Sequence, residues 1–293
     1  MIDKWQLWKV LAKSWAFTMM GLFNLVFLCA LASFLVMRLA GPEAFLVILM
    51  PSLALMTLMF LLGEVLVNII FQAEVPDPAE DKELIDAFTT VCRKSRILVK
   101  PRLRIISLDD MPNAMAYGTG LPFLSSVGVS RPLMNILTQP ELEGVLAHEF
   151  AHIKCKDVGL LSVIGLLLSL IDKLRNLLKS PKSLITKSPI TLVLGWVIYA
   201  IGKVALCISR FSISQERELA ADALGASYIG DPAPLISGLR KLHSWSKKQK
   251  TLFGDDGKEE KPFFHDLMVS HPGLEERIAS LESLTPQLKG ALS

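Results

Sequence analysis

Cysteine is scarce. Cys29, Cys92, Cys155 and Cys207 stand more than 50 residues apart, so no CxxC pair and no disulfide framework is encoded. This fits a soluble part kept in the reducing cytoplasm. Charge is thin as well. Asp, Glu, Lys and Arg make up 20% of the chain, against ~25% in an ordinary soluble globule. The net charge of +3 is too small to point to a nucleic-acid partner. No internal repeat interrupts the chain, and only five histidines occur in it, so their placement matters. What abounds is apolar: 51% of 293 residues, with a mean hydropathy of +0.44. That excludes a disordered chain and a mini-protein. The excess needs one very large core or burial in a membrane.

The apolar residues are clustered. Ser14 to Met37 is a run of 24 residues without a charge. It exceeds both the ~20 residues that cross a bilayer and the ~7–15-residue core of a signal peptide, and reads as an uncleaved transmembrane helix over 14–37. A second run covers 45–71, broken only by Pro51 and Glu64, with 38–44 as a short external loop. Glu64 is expected at the membrane surface, the ordinary place for a charge in such a segment, with the protein interior as the second reading. Lys4, Lys9 and Lys13 place the tail 1–13 in the cytoplasm. Two later runs, Val158–Ile171 and Pro189–Ile208, form a hydrophobic hairpin over 158–208. Its link carries Lys173, Arg175, Lys179, Lys182 and Lys187. If both arms crossed, that basic link would lie outside, against the positive-inside rule, so one or two membrane segments are expected there. The polar pieces 72–157 and 209–293 together form one domain of ordinary size. Helices are expected at about 84–96, 131–137 and 234–250, the last basic and able to touch anionic lipid or simply solvated. Short strands are expected at 102–108, 114–117 and 126–130. The fold class that follows is a mainly α membrane protein whose soluble part has a small β-sheet.

The chemistry begins at Thr138-Gln-Pro-Glu141, a capping box with proline in the first turn. The helix it starts carries His148-Glu149-Phe150-Ala151-His152, the pattern H-E-x-x-H. Histidines at i and i+4 share one helix face, so both imidazoles reach one zinc at ~2.0–2.1 Å. Glu149 then reaches a water at an open fourth position and takes its proton as the metal lowers that water's pKa toward ~7. A third ligand is required. His243, His265, His271 and Cys155 are candidates, Cys155 a poor one because it follows so closely on the same helix. Glu218 and Asp222 lie one turn apart in Gln215-Glu-Arg-Glu-Leu-Ala-Ala-Asp222, beside small alanines that permit close helix approach. Two readings of that segment stand side by side. Glu218 completes a His-His-Glu site and Asp222 orients a ligand imidazole, or these residues form a surface charge lattice.

The combination resembles the HtpX-type integral-membrane zinc metalloproteases, relatives of the CAAX prenyl endopeptidases and of the mitochondrial inner-membrane stress protease. The likeness rests on His148–His152 followed by Asp157, an apolar hairpin, and Glu218-Leu-Ala-Ala-Asp222. Asn113-Ala114-Met115-Ala116-Tyr-Gly118 resembles the family's N-A-x-A-x-G segment. Ser270-His271-Pro272 with Arg277-Ile278 resembles its H-P-x-x-x-R-I element, with one residue more between Pro and Arg. The resemblance implies a zincin-like α+β protease domain, with His148, His152 and Glu218 as ligands of one zinc per chain and Glu149 as general base. It implies that Asn113, Ala114, Met115 and Ala116 form an edge strand that pairs with extended substrate. His271 then either donates to the developing oxyanion or merely opens a helix before Pro272. Asp222, Asp157 and Arg277 are supporting residues, with Arg277 a structural partner of an acid such as Asp222. Gln215 departs from the family, where an arginine is common, and nothing supports CAAX processing. The implied role is cleavage of unfolded or damaged membrane proteins at the inner membrane, active site toward the cytoplasm, with the lipid bilayer as the other partner. Two alternatives are a signalling membrane metalloprotease of the antibiotic-sensing kind and a scaffold that keeps zinc for structure.

Overall fold

The computed structural model describes residues 41–107, 111–156, 215–253 and 273–290, with isolated helical positions in 12–38 and 158–200. The expected tail 1–13, first span 14–37 and hairpin 158–208 fall outside the described residues apart from those positions. So do Asp157 and His271. The described chain is mostly helical, with one small mixed sheet.

Helix α1, Glu43–Ile70, has no charge between Glu43 and Glu64 and keeps Pro51 within it. Its segment Leu49–Ile70, with a mean hydropathy of 2.2, is the one helix among the described residues long and apolar enough to cross a membrane. Its C-terminal turns do something else. Val67 and Phe71 are buried with Ile106 and Tyr117 of the sheet. Glu64, expected at the membrane surface, is 3% exposed and accepts hydrogen bonds from Arg102 and Ser126. A carboxylate this deep is tolerated because a guanidinium and a hydroxyl replace its water. Asn68 accepts from the Tyr117 hydroxyl at 2.7 Å.

Helix α2, Lys82–Lys94, buries Leu84, Ala87, Phe88, Val91 and Cys92 along one stripe. Glu83 in its first turn and Arg93 and Lys94 in its last complement the helix dipole. Strands β1 (Arg102–Ile106), β2 (Ala114–Gly118) and β3 (Ser125–Ser130) form a sheet in the order β1-β3-β2. β1 runs parallel to β3, and β2 runs antiparallel to it. β3 is buried along its whole length because it is central. Leu103, Ile105, Val127, Val129, Ala114 and Ala116 face the main core, while Ile106, Tyr117 and Met115 face α1. This is the period-2 alternation of a sheet covered on both sides.

Helices α3 (Arg131–Ile136) and α4 (Gln139–Cys155) follow β3. The capping box at Thr138 is present: the Thr138 N–H donates to Glu141 at 2.7 Å. Most of α4 is buried, since α2, the sheet, α5 (Gln215–Ile229) and α6 (Ala233–Phe253) surround it. Helix α7, Leu274–Gly290, packs on α5 and α6. Two glycines set how closely α4 is held. A Cβ at Gly225 of α5 would stand 2.8 Å from the His148 N, and one at Gly144 of α4 would stand 2.8 Å from the Leu235 N. Backbone meets helix without a side chain between them at both crossings.

Candidate metal centre

The H-E-x-x-H residues occupy the middle of α4. His148 and His152 are one turn apart and buried, and their Nε2 atoms lie 3.1 Å from each other. α5 brings Glu218 onto the same point: its Oε2 is 3.5 Å from the His148 Nε2 and its Oε1 3.5 Å from the His152 Nε2. One ligand atom from each of the three falls within 4.8 Å of the others. Ligand atoms around a tetrahedral zinc stand about 3.3 Å apart. The three donors therefore match such a cation in type and spacing.

The surface-lattice reading does not hold for Arg217, Glu218 and Asp222. Arg217, Glu218 and Asp222 are 3%, 6% and 0% exposed. Asp222 instead holds the back of the site. Its Oδ1 is 2.8 Å from the His148 Nδ1. An imidazole that donates there keeps the lone pair of Nε2 directed at the other two donors. Arg277 of α7 clamps Asp222 with two hydrogen bonds, from Nε at 2.7 Å and from a terminal nitrogen at 2.6 Å. It also lies 3.8 Å from Glu218.

The electrostatics favour a positive charge at this point. Burial pushes the His148 imidazole down, yet Asp222 and Glu218 override it and raise the pKa to about 10. Burial opposes the Asp222 carboxylate too, but Arg277 and His148 hold it below the usual carboxylate range. His152 goes the other way: burial lowers it, and the Glu218 charge offsets only part. Asp222 and Glu218 thus stabilise positive charge at His148, while burial favours the neutral form of His152.

Glu149 is only half-buried, and its charge is felt by the His152 imidazole. Its Oε2 accepts the Ala116 N–H at 2.8 Å. β2 is an edge strand, with one side paired to β3 and Ala116 turned to the other side. Asn113 closes the far end of that pairing: its carbonyl accepts the Ser130 N–H at 2.9 Å, and its own N–H donates to the Ser130 hydroxyl at 2.8 Å. The Ala116–Glu149 contact has no sequence signal, because nothing local relates a strand residue to a helix residue 33 positions on. Cys155 packs with Ala151, Ala221 and Leu224 and stands apart from the donor cluster.

The family model for peptidase family M48 matches residues 78–285, from the loop before α2 into α7. The chain belongs to peptidase family M48. The M48 match holds both halves of the site, His148–His152 and Glu218–Asp222, together with Arg277. A protease HtpX homolog of Thermoanaerobacter pseudethanolicus is 33% identical over 210 residues, 64% of this chain and 67% of that protein. One from Caldanaerobacter subterraneus is 31% identical over 201 residues, with the same shares covered. One from Methylibium petroleiphilum is 24% identical over 264 residues, 85% of this chain and 91% of that protein. Among solved structures, that of S. mikatae Ste24p aligns with a TM-score of 0.47 at 19% identity, covering 94% of this chain and 66% of that one. This M48 peptidase is a metalloprotease of the HtpX type.

Proposed function

We propose that this M48 peptidase is a membrane-bound zinc endopeptidase that cleaves unfolded or damaged membrane proteins on the cytoplasmic side of the cell membrane. The observation that carries the reading is the meeting of His148, His152 and Glu218 beside a half-exposed Glu149. When bound, zinc supplies Lewis acidity, drawing electron density from a scissile carbonyl and acidifying water near neutral pH.

The chain's own groups do the rest. The edge of β2 that faces away from β3 offers the peptide groups of Ala114 and the Ala116 carbonyl to an extended substrate backbone. Such pairing reads main chain rather than side chains, which suits a protease of broad substrate choice. The Ala116 N–H keeps the Glu149 carboxylate at this edge, within reach of the bond to be cut. Glu149 takes a proton from water as it attacks the carbonyl and delivers that proton to the departing amine. Asp222 and Arg277 keep the His148 ring from turning. Membrane attachment is supported by α1 and by the uncharged run 14–37, and the basic tail supports the cytoplasmic orientation.

The test is a metal-dependent proteolysis assay of the wild type beside Glu149→Gln. The variant should keep its zinc and lose about 10²–10⁴-fold in cleavage rate. Turnover at the wild-type rate would remove Glu149 from the mechanism. Wild-type cleavage that persists after the metal is stripped would remove the metal.

A further inference from the structure

The sheet has two distinct ends, and α1 runs from one to the other. Glu64 bonds Arg102 and Ser126, the paired residues near the start of β1 and β3. Seven residues later the Phe71 carbonyl accepts the Ser107 N–H, just past the end of β1. Followed backward, α1 therefore leaves the sheet at the Arg102–Ser126 end and continues as an apolar helix with Leu62, Leu61, Leu58 and Leu55 exposed.

The turn between β2 and β3 sits at that same end. Gly159 lies between the Phe60 ring of α1 and the Thr119 carbonyl, which puts the turn level with Phe60. On the turn, Leu121 and Phe123 are 38% and 53% exposed. The chain also enters β1 at this end, through Leu98-Val99-Lys100-Pro101, where Leu98 is 100% and Val99 50% exposed. The apolar tips carry charge of one sign beside them. Residues 93–108 hold Arg93, Lys94, Arg96, Lys100, Arg102 and Arg104 and no acid. Arg96, Lys100 and Arg102 are exposed, and the Arg104 Nε is buried without an acceptor among the described residues.

Two facts say what covers these loops. The apolar surface is continuous with a helix long enough to cross a bilayer, and the flanking charge is positive. From Glu43 to Leu62, α1 offers roughly 20 residues, or about 30 Å, which matches the hydrocarbon thickness and ends at the level of the turn. We propose that Leu121–Phe123 and Leu98–Val99 form a foot seated in the interfacial layer of the bilayer that α1 crosses, with Arg96 and Lys100 against anionic phospholipid headgroups. The inference rests on the membrane reading above and gives it a depth. Ala116, which holds Glu149, stands two residues before the end of β2. That is about 7 Å along the strand. A segment leaving the bilayer reaches the β2 edge after a few residues, so the substrate this site takes first is membrane-adjacent chain.

The test uses the full chain in lipid nanodiscs, with the photoreactive p-benzoyl-phenylalanine placed at Phe123, at Leu98, or at Glu80 as control. Glu80 is exposed and adjoins Asp81, which bonds Arg131 just past the far end of β3. Irradiation should give phospholipid adducts by mass at 123 and 98 and none at 80. Protein embedded in the disc that yields only adducts within the chain at 123 and 98 overturns the foot while leaving the membrane reading intact. Protein that fails to enter the disc overturns both. In discs of phosphatidylcholine with phosphatidylglycerol, adducts at 98 should favour the anionic lipid. Arg96→Gln and Lys100→Gln should each cut that preference about fivefold. An unchanged preference in the double variant overturns the basic collar.

Discussion

His148 and Glu149 are neighbours in the chain with opposite surroundings. His148 is enclosed by Glu218, Asp222, Arg277 and His152, while Glu149 keeps one side open at the edge of β2. The same pentapeptide thus presents a binding face and a reacting face, separated by the 100° that one helical residue turns. The support behind His148 makes a sharp prediction. Asp222→Asn keeps the shape but loses the negative charge that orients the ring. Zinc affinity should fall about 10–100-fold with the fold intact, read by competition with a chromophoric chelator. Unchanged affinity would mean that Arg277 and Glu218 alone position His148. The H-E-x-x-H pair was legible in the sequence because i,i+4 geometry is local. Glu218 and Asp222 admitted two readings there, because only the burial of α5 against α4 separates a ligand from a surface charge.

At the scale of elements, helix approach decides the site. The small alanines of α5 allow close packing, and Ala221 is fully buried. The tightest contact, however, is at Gly225, whose added Cβ would press on the backbone of Ala147 and His148. Backbone cannot swing aside as a side chain does. Gly225→Ala should therefore lift α5 from α4, costing about 1–3 kcal/mol and lowering metal content, although Gly225 touches no donor atom. Gly238→Ala on α6 is the control, since its Cβ would come no nearer than 3.4 Å to a methyl of Val145. Thermal unfolding and zinc content of the two variants check this, and equal behaviour would sink it. Strand positions, the 234–250 helix and the cap at Thr138 were all readable from alternation, periodicity and capping chemistry. Glu64 was not: an acid inside an apolar run looks the same whether it meets water or Arg102.

At the scale of the molecule, the two chain segments that share the site must close on each other. Glu141 is one tie between them. Buried at the start of α4, it accepts from Ser237 at 2.6 Å and from Lys241 at 2.7 Å, both on α6. Burial opposes its charge, but Lys241, Ser237 and the Thr138 cap hold its pKa down, from 4.5 to about 2. A carboxyl depressed in the folded state stabilises above its unfolded value, and that stability is lost as pH falls through the folded one. The gap in melting temperature between wild type and Glu141→Gln should be constant above pH 4.5 and close as pH falls toward about 2. A gap that persists in acid would assign the stability to packing rather than to the charged tie.

By itself the sequence determined what is local or compositional. It set the apolar runs, the capped helix, the pair of imidazoles with a carboxylate between them, and the alternation of the strands. Each of these depends on residues within a turn or two of one another. Tertiary structure decided what depends on distant partners: that Glu218 is buried beside the histidines, that Asp222 and Arg277 stand behind them, and that Glu149 hangs from Ala116. It also turned Glu64 inward and brought Leu98 and Phe123 to the same end of the sheet as α1's apolar length. The reason is physical. Burial and charge pairing are properties of surfaces that meet, and a chain carries no record of which of its faces will meet until it folds.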